Sequence, residues 1–225
     1  MHEGHRERLR NRYLKEGFDN FELHNVLELL LFYGVPRKDT NELAHNLIKH
    51  FGSFSEVLDA PVHELEKIDG LPHNAAVMLS MLPSVFRLYL NDKTGGKKIS
   101  GIDDIREFIF NQFVGLTEER VIFVCIDNAM RMISSDTVAS GSVNSANVNM
   151  RTLVDLAIRH NAVAVIIAHN HPRGVSLPSR EDLKTTEKVN MVMHSIGVRL
   201  IDHVICSPSD YSALAEAEQF DYLFM

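Results

Sequence analysis

Cysteine is scarce in this sequence, and long apolar runs are absent. The two cysteines, Cys125 and Cys206, lie in apolar segments and form no Cys-x-x-Cys pair, which favours buried free thiols in a reducing compartment. No stretch approaches the ~20 apolar residues of a membrane span. The charged residues 1–12 lack the apolar segment of a signal peptide. We therefore expect a cytoplasmic protein that is not a membrane component.

Motifs of several common enzyme classes are also missing. The sequence has no G-x-S-x-G motif and no glycine-rich phosphate loop, so it gives no support to a serine hydrolase or to nucleotide-dependent chemistry. The net charge is -7, whereas a dominant nucleic-acid binder is usually basic. The local basic cluster is typical of a solvated helix face and consists of Arg6, Arg8, Arg10, Arg12 and Lys15.

A change in composition divides the chain in two. The segment LNDKTGGKKISG, residues 90–101, is rich in glycine and lysine and has no hydrophobic periodicity. It predicts a linker at residues 93–100. Residues 1–92 are then one domain and residues 101–225 a second, and each is long enough to bury a core.

The N-terminal domain has the apolar spacing of helices. Apolar residues, most of them leucines, recur three and four positions apart before Gly34 and again between Thr40 and Gly52. These positions predict C-terminal caps at Gly34 and Gly52 and an N-terminal cap at Thr40. Three short helices are expected over residues 53–90, so this domain is predicted to be all-helical.

The segment Gly70-Leu71-Pro72 joins two of these helices and is similar to the hairpin of a helix-hairpin-helix element. Backbone N–H groups at such a hairpin can hold a DNA phosphate, which makes Gly70 and Leu71 candidate DNA contacts. Pro72 replaces the second glycine and removes one N–H donor. The alternative is a helical bundle that packs on itself or on a partner.

The C-terminal domain alternates strand and helix patterns. Strands are predicted at residues 120–127, 131–140, 162–169 and 198–207, with amphipathic helices before and between them. This order predicts an α/β sandwich with a mixed sheet. With the helical domain included, the fold class is α+β or α/β.

Two histidines end the strand at residues 162–169. His169 and His171 are two positions apart in an extended segment, so their side chains point to the same side, and Pro172 keeps the segment extended. Two imidazoles presented together are natural ligands of a divalent metal. The alternative is that one histidine bonds to the backbone and the other is solvated.

Ser179 and Asp182 follow with the S-x-x-D spacing of a helix capping box. Capping alone explains both residues. The same arrangement aims the Asp182 carboxylate outward, where it can join His169 and His171 in a three-ligand site, and zinc would keep a fourth position open there. The two interpretations are compatible.

Taken together, these residues resemble a known signature. His169 and His171, then seven residues, then Ser179 and Asp182 have the spacing of the JAMM (MPN+) metallopeptidases. The longer string HNHPRG...PSREDLKTT...IDHVI is similar to the RadC branch of that family. The segments RERLRNRY, FELHNVLELLL and GSFSEVLDAPVHELEKIDGL resemble the helical domain that precedes it in RadC-like proteins. The resemblance therefore covers nearly the whole chain.

The resemblance implies a JAMM/MPN-like, cytidine-deaminase-like fold and a zinc-dependent hydrolase of peptide or isopeptide bonds. It assigns His169, His171 and Asp182 as zinc ligands. It makes Glu119, ahead of the first core strand, the general base and Ser179 the donor to the oxyanion. These roles, together with the zinc cofactor and the peptide or protein substrate, are expectations carried by the resemblance.

Four further residues leave alternatives open. Glu118 is the neighbour of Glu119 and could be the base instead, and either could be a surface charge at a strand start. Asp202 and His203 are expected to support the ligands from behind, although a buried hydrogen-bonded histidine is an equal alternative. Arg173 stands where the family often has serine, which bears on the choice of substrate or partner.

Two other functions compete with the zinc hydrolase. The first is a DNA-associated repair factor in which the helical domain binds DNA and the metal site is structural. The second is a nuclease, suggested by the letters HNH at residues 169–171. Nucleases of that name carry those three residues far apart in sequence, so the tripeptide does not support this function.

Overall fold

The structure is a computed structural model that describes residues 2–36, 38–94, 99–141 and 148–224. It divides the chain into two compact units, Met1–Val85 and Phe86–Met225. Of the predicted linker at residues 93–100, residues 95–98 lie outside the described part, and the linker stays a prediction. The N-terminal helices and the C-terminal mixed sheet confirm the predicted fold class.

The N-terminal unit is built from helices whose apolar faces converge. Their bounds are α1 His2–Glu16, α2 Leu23–Gly34, α3 Asn41–Phe51, α4 Phe54–Asp59, α5 Val62–Leu65 and α6 His73–Thr94, and α6 continues past Val85, the last residue of this unit. The core consists of the side chains at three- and four-residue spacing, among them Leu27, Leu31, Leu47, Leu65 and Leu79. Helix α6 is longer than predicted and contains Pro83. Among the described residues, no helix is long and apolar enough to cross a membrane.

Two of the predicted caps act differently from expectation, and one agrees with it. Gly52 ends α3 with φ of 102°, as a C-terminal glycine should. Gly34 is the last residue of α2, and a Cβ there would lie 2.7 Å from the Ala75 Cβ, so this glycine permits close packing. Thr40 precedes α3 without capping it, because its hydroxyl donates to the Glu28 carbonyl instead.

The basic face of α1 is only partly solvated. The Arg6 guanidinium donates to the Val35 carbonyl at 2.6 Å and lies over the Phe32 ring. Arg12 pairs with Glu16 at 2.5 Å. Arg6 therefore joins α1 to the residue that follows α2, whereas the Arg12–Glu16 pair lies within α1. The charge pattern alone did not predict the contact that Arg6 makes.

The C-terminal unit is a five-stranded mixed sheet with helices on both faces. Its elements are α7 Ile102–Phe113, β1 Arg120–Ile126, β2 Met132–Ser140, α8 Met150–Arg159, β3 Ala164–Asn170, α9 Arg180–Ser195, β4 Arg199–Cys206 and β5 Tyr211–Ala213, with 3-10 turns at Leu214–Glu216 and Glu218–Leu223. The strand order is β2-β1-β3-β4-β5. Only the β3–β4 pair is parallel among these strands. The prediction that β4 is the last strand was wrong, because β5 follows it.

Successive side chains of β1 and β3 point to opposite faces of the sheet, and each face has its own hydrophobic core. On one face Phe123 and Ile167 pack against α8 and α9. On the other face Val124 and Ile166 pack against α7. Because β1 and β3 are antiparallel, with Val121 opposite His169, the end of β3 lies beside the start of β1. This register brings the histidine string next to the segment that contains Glu119.

A buried ion pair ties α7 to the sheet. The Arg106 guanidinium, 6% exposed, donates from Nε to Oδ2 of the fully buried Asp202 at 2.8 Å, and its Nη2 lies 2.7 Å from the same oxygen. The other oxygen of Asp202 accepts the backbone N–H groups of His203 and Ala215. Arg106 also contacts the exposed Glu216. Both oxygens of this buried carboxylate therefore have hydrogen-bond donors.

Candidate metal centre

Three predicted ligands meet where β3 ends and α9 begins. One ligand atom each from His169, His171 and Asp182 lies within 4.8 Å of the others, and among the described residues no other group of three metal-ligating side chains does so. The two Nε2 atoms are 2.9 Å apart. His169 Nε2 lies 3.2 Å from Asp182 Oδ1, and His171 Nε2 lies 3.7 Å from Asp182 Oδ2.

The capping box of α9 holds the third ligand. Ser179 is the N-cap, and the Asp182 N–H donates to its hydroxyl oxygen. Asp182 Oδ2 in turn accepts the Ser179 N–H at 2.7 Å and its hydroxyl at 2.6 Å. One carboxylate oxygen thus closes the cap while Oδ1 faces His169. The capping box is therefore present, and it leaves Oδ1 in a position where a metal ion could bind.

A backbone carbonyl fixes the tautomer of His171. Its Nδ1 lies 2.9 Å from the Val175 carbonyl oxygen, which can only accept a hydrogen bond. In the neutral ring the proton is therefore on Nδ1, and Nε2 presents a bare lone pair. That lone pair points toward the other two ligands.

A second carbonyl fixes His169 through a relay of three hydrogen bonds. Thr186 Oγ1 donates to the Asp182 carbonyl at 2.8 Å, so its one proton is used there. His203 Nδ1, 2.6 Å from Thr186 Oγ1, must then be the donor. His203 Nε2 is left as an acceptor, and His169 Nδ1 donates to it at 2.9 Å. Neutral His169 consequently also has a bare Nε2.

Burial keeps the relay in this state. His203 is 2% exposed, and desolvation together with the charge of His169 lowers its pKa to about 3, so the ring is neutral near pH 7. Burial opposes ionisation of Asp182, but the adjacent His169 and His171 rings and the Ser179 hydroxyl hold its pKa well below the usual range. The group thus contains one carboxylate, Asp182, and it rests on one neutral imidazole, His203.

The donor set fits a metal ion. With both rings neutral, two nitrogen lone pairs converge on a carboxylate oxygen, and a divalent cation can bind all three. Ligand atoms ~2.0–2.1 Å from a tetrahedral zinc are about 3.3 Å from each other. The Nε2–Nε2 separation of 2.9 Å and the 3.2 Å from His169 Nε2 to Asp182 Oδ1 are near that value, and His171 Nε2 lies 3.7 Å from the other oxygen, Oδ2. Hydrogen bonding to the Asp182 carboxylate is the main cause that raises the pKa of His171, as expected where a positive charge is favoured.

Glu119 lies directly before β1, half-buried, at the side of this group. The β1–β3 pairing ends with Val121 opposite His169, so Glu119 lies two residues before the last pair of that ladder. Its charge is one of the causes that raise the pKa of His171. Glu118 is exposed, so of the two glutamates Glu119 is the one turned toward the protein.

Sequence reasoning missed two residues at the site. Thr186 orients His203, and the buried Asn170 bonds to the backbone on both sides of Glu119. A polar residue inside the apolar run of β3 was a usable signal for Asn170. Thr186 lies one turn after Asp182 on α9, where helical spacing could have indicated a shared face.

The remaining predicted residues occupy distinct places. His203 supports His169 directly, whereas Asp202 binds Arg106 and the backbone. The Leu71 side chain is buried and its N–H donates to the Ile68 carbonyl. Gly70 has φ of 83° in the same turn. DNA contact at this hairpin stays a prediction.

A mixed sheet with a His-His-Asp group at the end of its central strand defines a JAB-type domain. The model of the RadC-like JAB domain matches residues 99–219, and the model named UPF0758 N-terminal matches residues 3–77. The chain belongs to the RadC-like JAB domain family. A UPF0758 protein of Fusobacterium nucleatum is 30% identical over 95% of this chain and 96% of its own length. Another, from Nitrosomonas eutropha, is 28% identical over 93% and 94%.

Proposed function

We propose that this protein is a zinc-dependent hydrolase of peptide or isopeptide bonds. The observation that carries the proposal is the convergence of His169 Nε2, His171 Nε2 and an Asp182 oxygen, with both tautomers fixed by backbone carbonyls. Nitrogen and carboxylate ligands in a set of three are typical of catalytic zinc, which keeps one position open for chemistry. Membership in the JAB family supports the same reaction class.

In the proposed hydrolysis, Glu119 and Ser179 have different roles beside the metal ligands. When bound, the ion would supply Lewis acidity, which lowers the pKa of water towards ~7 and polarises a carbonyl oxygen. Glu119 accepts a proton from the attacking water and returns it to the leaving amine, so water adds its hydroxyl to the carbonyl carbon and its proton to nitrogen. Ser179 holds Asp182 in place, and its hydroxyl would have to turn from Asp182 to donate to an oxyanion.

Metal content tests the ligand assignment. We expect about one zinc per chain in the purified protein, lost in Asp182→Ala and retained in Glu119→Gln. Glu181→Ala is the matched control, because Glu181 lies in the same first turn of α9 and is ion-paired to Lys184 outside the ligand group. Equal zinc in Asp182→Ala and the unmodified chain would show that the ligand set is wrong.

A cleavage screen tests the reaction. The zinc-loaded protein is incubated with peptide libraries and isopeptide-linked conjugates, and products are identified by mass spectrometry. Cleavage is expected in the unmodified protein and lost in Glu119→Gln despite normal zinc content. Cleavage that persists in Glu119→Gln would contradict the assigned base.

The partner predicted for the helical unit is tested separately. Anisotropy of a labelled branched duplex at low salt is expected to report binding that weakens steeply as salt rises. The Leu71 N–H is already bonded, so support from the hairpin is weaker than the sequence suggested. Absence of binding at low salt would remove DNA as a partner.

A further inference from the structure

Asn170 stands between the two metal-ligand histidines and faces away from them. Alternation along β3 puts His169 and His171 on one side and Asn170 on the other. Its side chain is 3% exposed. A buried amide at a strand end is retained only where its donors and acceptor are used.

The Asn170 amide brackets Glu119. Its Oδ1 accepts the Arg120 N–H at 2.7 Å, and its Nδ2 donates to the Glu118 carbonyl at 3.1 Å. These are the peptide groups immediately after and before Glu119. On the other side, the Glu119 carbonyl accepts the Gly141 N–H at 3.0 Å. The backbone around Glu119 is thus held from both neighbouring chain segments.

The amide replaces pairing that the main chain cannot supply here. The β1–β3 pairing ends with Val121 opposite His169. The His171 N–H is directed to the Cys206 carbonyl on β4, at 2.7 Å. Because the backbone turns toward β4 at this point, the Asn170 side chain continues the contact with β1.

We propose that Asn170 is a positioning residue that holds Glu119 beside the metal-ligand group. This inference rests on the proposed function, since it gives Glu119 the role of base. Bonding to the Arg120 N–H and to the Glu118 carbonyl requires one short side chain with both a donor and an acceptor, and the asparagine amide supplies both. One tripeptide, His169-Asn170-His171, then orients both the ligands and the base.

The test measures the distance between Glu119 and the metal without requiring a substrate. The full-length protein is labelled with 13C at glutamate carboxyl carbons and loaded with Zn²⁺ or with paramagnetic Co²⁺. The Glu119 resonance is assigned by its absence in Glu119→Gln. Line broadening by Co²⁺ falls steeply with distance, so it reports how close this carboxylate is held to the ion.

Two substitutions separate positioning from folding. Asn170→Ala removes both hydrogen bonds, whereas Asn170→Asp keeps the volume and the acceptor for Arg120 but loses the donor to Glu118. Asn149→Ala is the matched control, because Asn149 caps α8 through the Arg151 N–H and its loss removes one hydrogen bond elsewhere in the unit. If Asn170→Ala does not fold, Asn170→Asp carries the test.

The expected result is strong Co²⁺ broadening of Glu119 in the unmodified protein and in Asn149→Ala, and loss of most of it in the two Asn170 variants. Where cleavage is measurable, kcat falls at unchanged KM by up to about 100-fold, as for a base displaced by ~1 Å. Asn170→Ala adds no further loss in a Glu119→Gln background.

Two outcomes overturn the inference in distinguishable ways. Equal broadening in the unmodified protein and both Asn170 variants would show that Glu119 is held without Asn170, and would leave the proposed function intact. Co²⁺ that binds but does not broaden Glu119 in the unmodified protein would remove Glu119 from the site. The proposed function would then fail together with the role of Asn170.

Discussion

Removing one member of the Arg106–Asp202 ion pair should destabilise the C-terminal unit strongly. Arg106→Met leaves Asp202 fully buried with two backbone N–H donors and no cation. Breaking a buried pair from one side typically costs about 3–5 kcal/mol. At about 2–4 °C per kcal/mol for a chain of this size, the melting temperature should fall by roughly 6–20 °C.

The Arg106–Asp202 pair is expected to contribute less to the free energy of unfolding than the loss of one partner costs. Burial raises the pKa of Asp202 more than the backbone donors and Arg106 lower it, so desolvation exceeds the attraction at this carboxylate. Replacing both residues, Arg106→Met with Asp202→Leu, should therefore cost less than the sum of the single changes. Part of the cost will remain, because the N–H groups of His203 and Ala215 lose their acceptor.

Chemical denaturation followed by circular dichroism measures these differences. A chelator is included, because bound metal would raise the apparent stability of the native state. Glu216→Gln is the matched control: it removes a contact with the same guanidinium, but its side chain is 61% exposed, and the expected cost is ~0–1 kcal/mol. The reasoning is refuted if Arg106→Met costs no more than Glu216→Gln.

Three further predictions concern the relay, the helix packing and the thiols. Thr186→Val removes the acceptor that orients His203, and zinc affinity in a chelator competition should fall about 10–100-fold; unchanged affinity would contradict the tautomer assignment. Gly34→Ala should destabilise by about 1–3 kcal/mol in denaturant because of the Ala75 contact, whereas Gly4→Ala on exposed α1 should stabilise. Burial raises the pKa of both Cys125 and Cys206, so alkylation by iodoacetamide should require denaturant; rapid labelling of the native protein would count against their burial.

The convergence of the candidate metal ligands was predictable because their geometry is local. His169 and His171 are related by strand alternation, and Ser179 and Asp182 by the first turn of one helix. These rules operate over a few residues and need no knowledge of the rest of the fold. Glu119 came instead from the family resemblance, since a glutamate before a strand has no local signature.

The contacts that support the site and the sheet join residues that are far apart in the sequence. Asn170 reaches a carbonyl 52 positions away, and Arg106 reaches Asp202 across 96 positions. Gly34 has no side chain because Ala75 of α6 packs directly against it. The sequence suggested a helix cap at Gly34, since the position of Ala75 could not be known from the local pattern. Such roles follow from register and from contacts between elements, which single-segment periodicity does not specify.

The anchoring of both tautomers on backbone carbonyls has a consequence for tolerance to substitution. Val175 contributes its carbonyl to His171 while its side chain is 65% exposed, so almost any residue that keeps the loop conformation should be accepted there. Position 186 is different, because the relay passes through its hydroxyl inside the core and only serine shares that chemistry at similar size. If both positions are changed to all other amino acids, we expect most substitutions at position 175 to keep metal binding. At position 186 only threonine and serine should keep it.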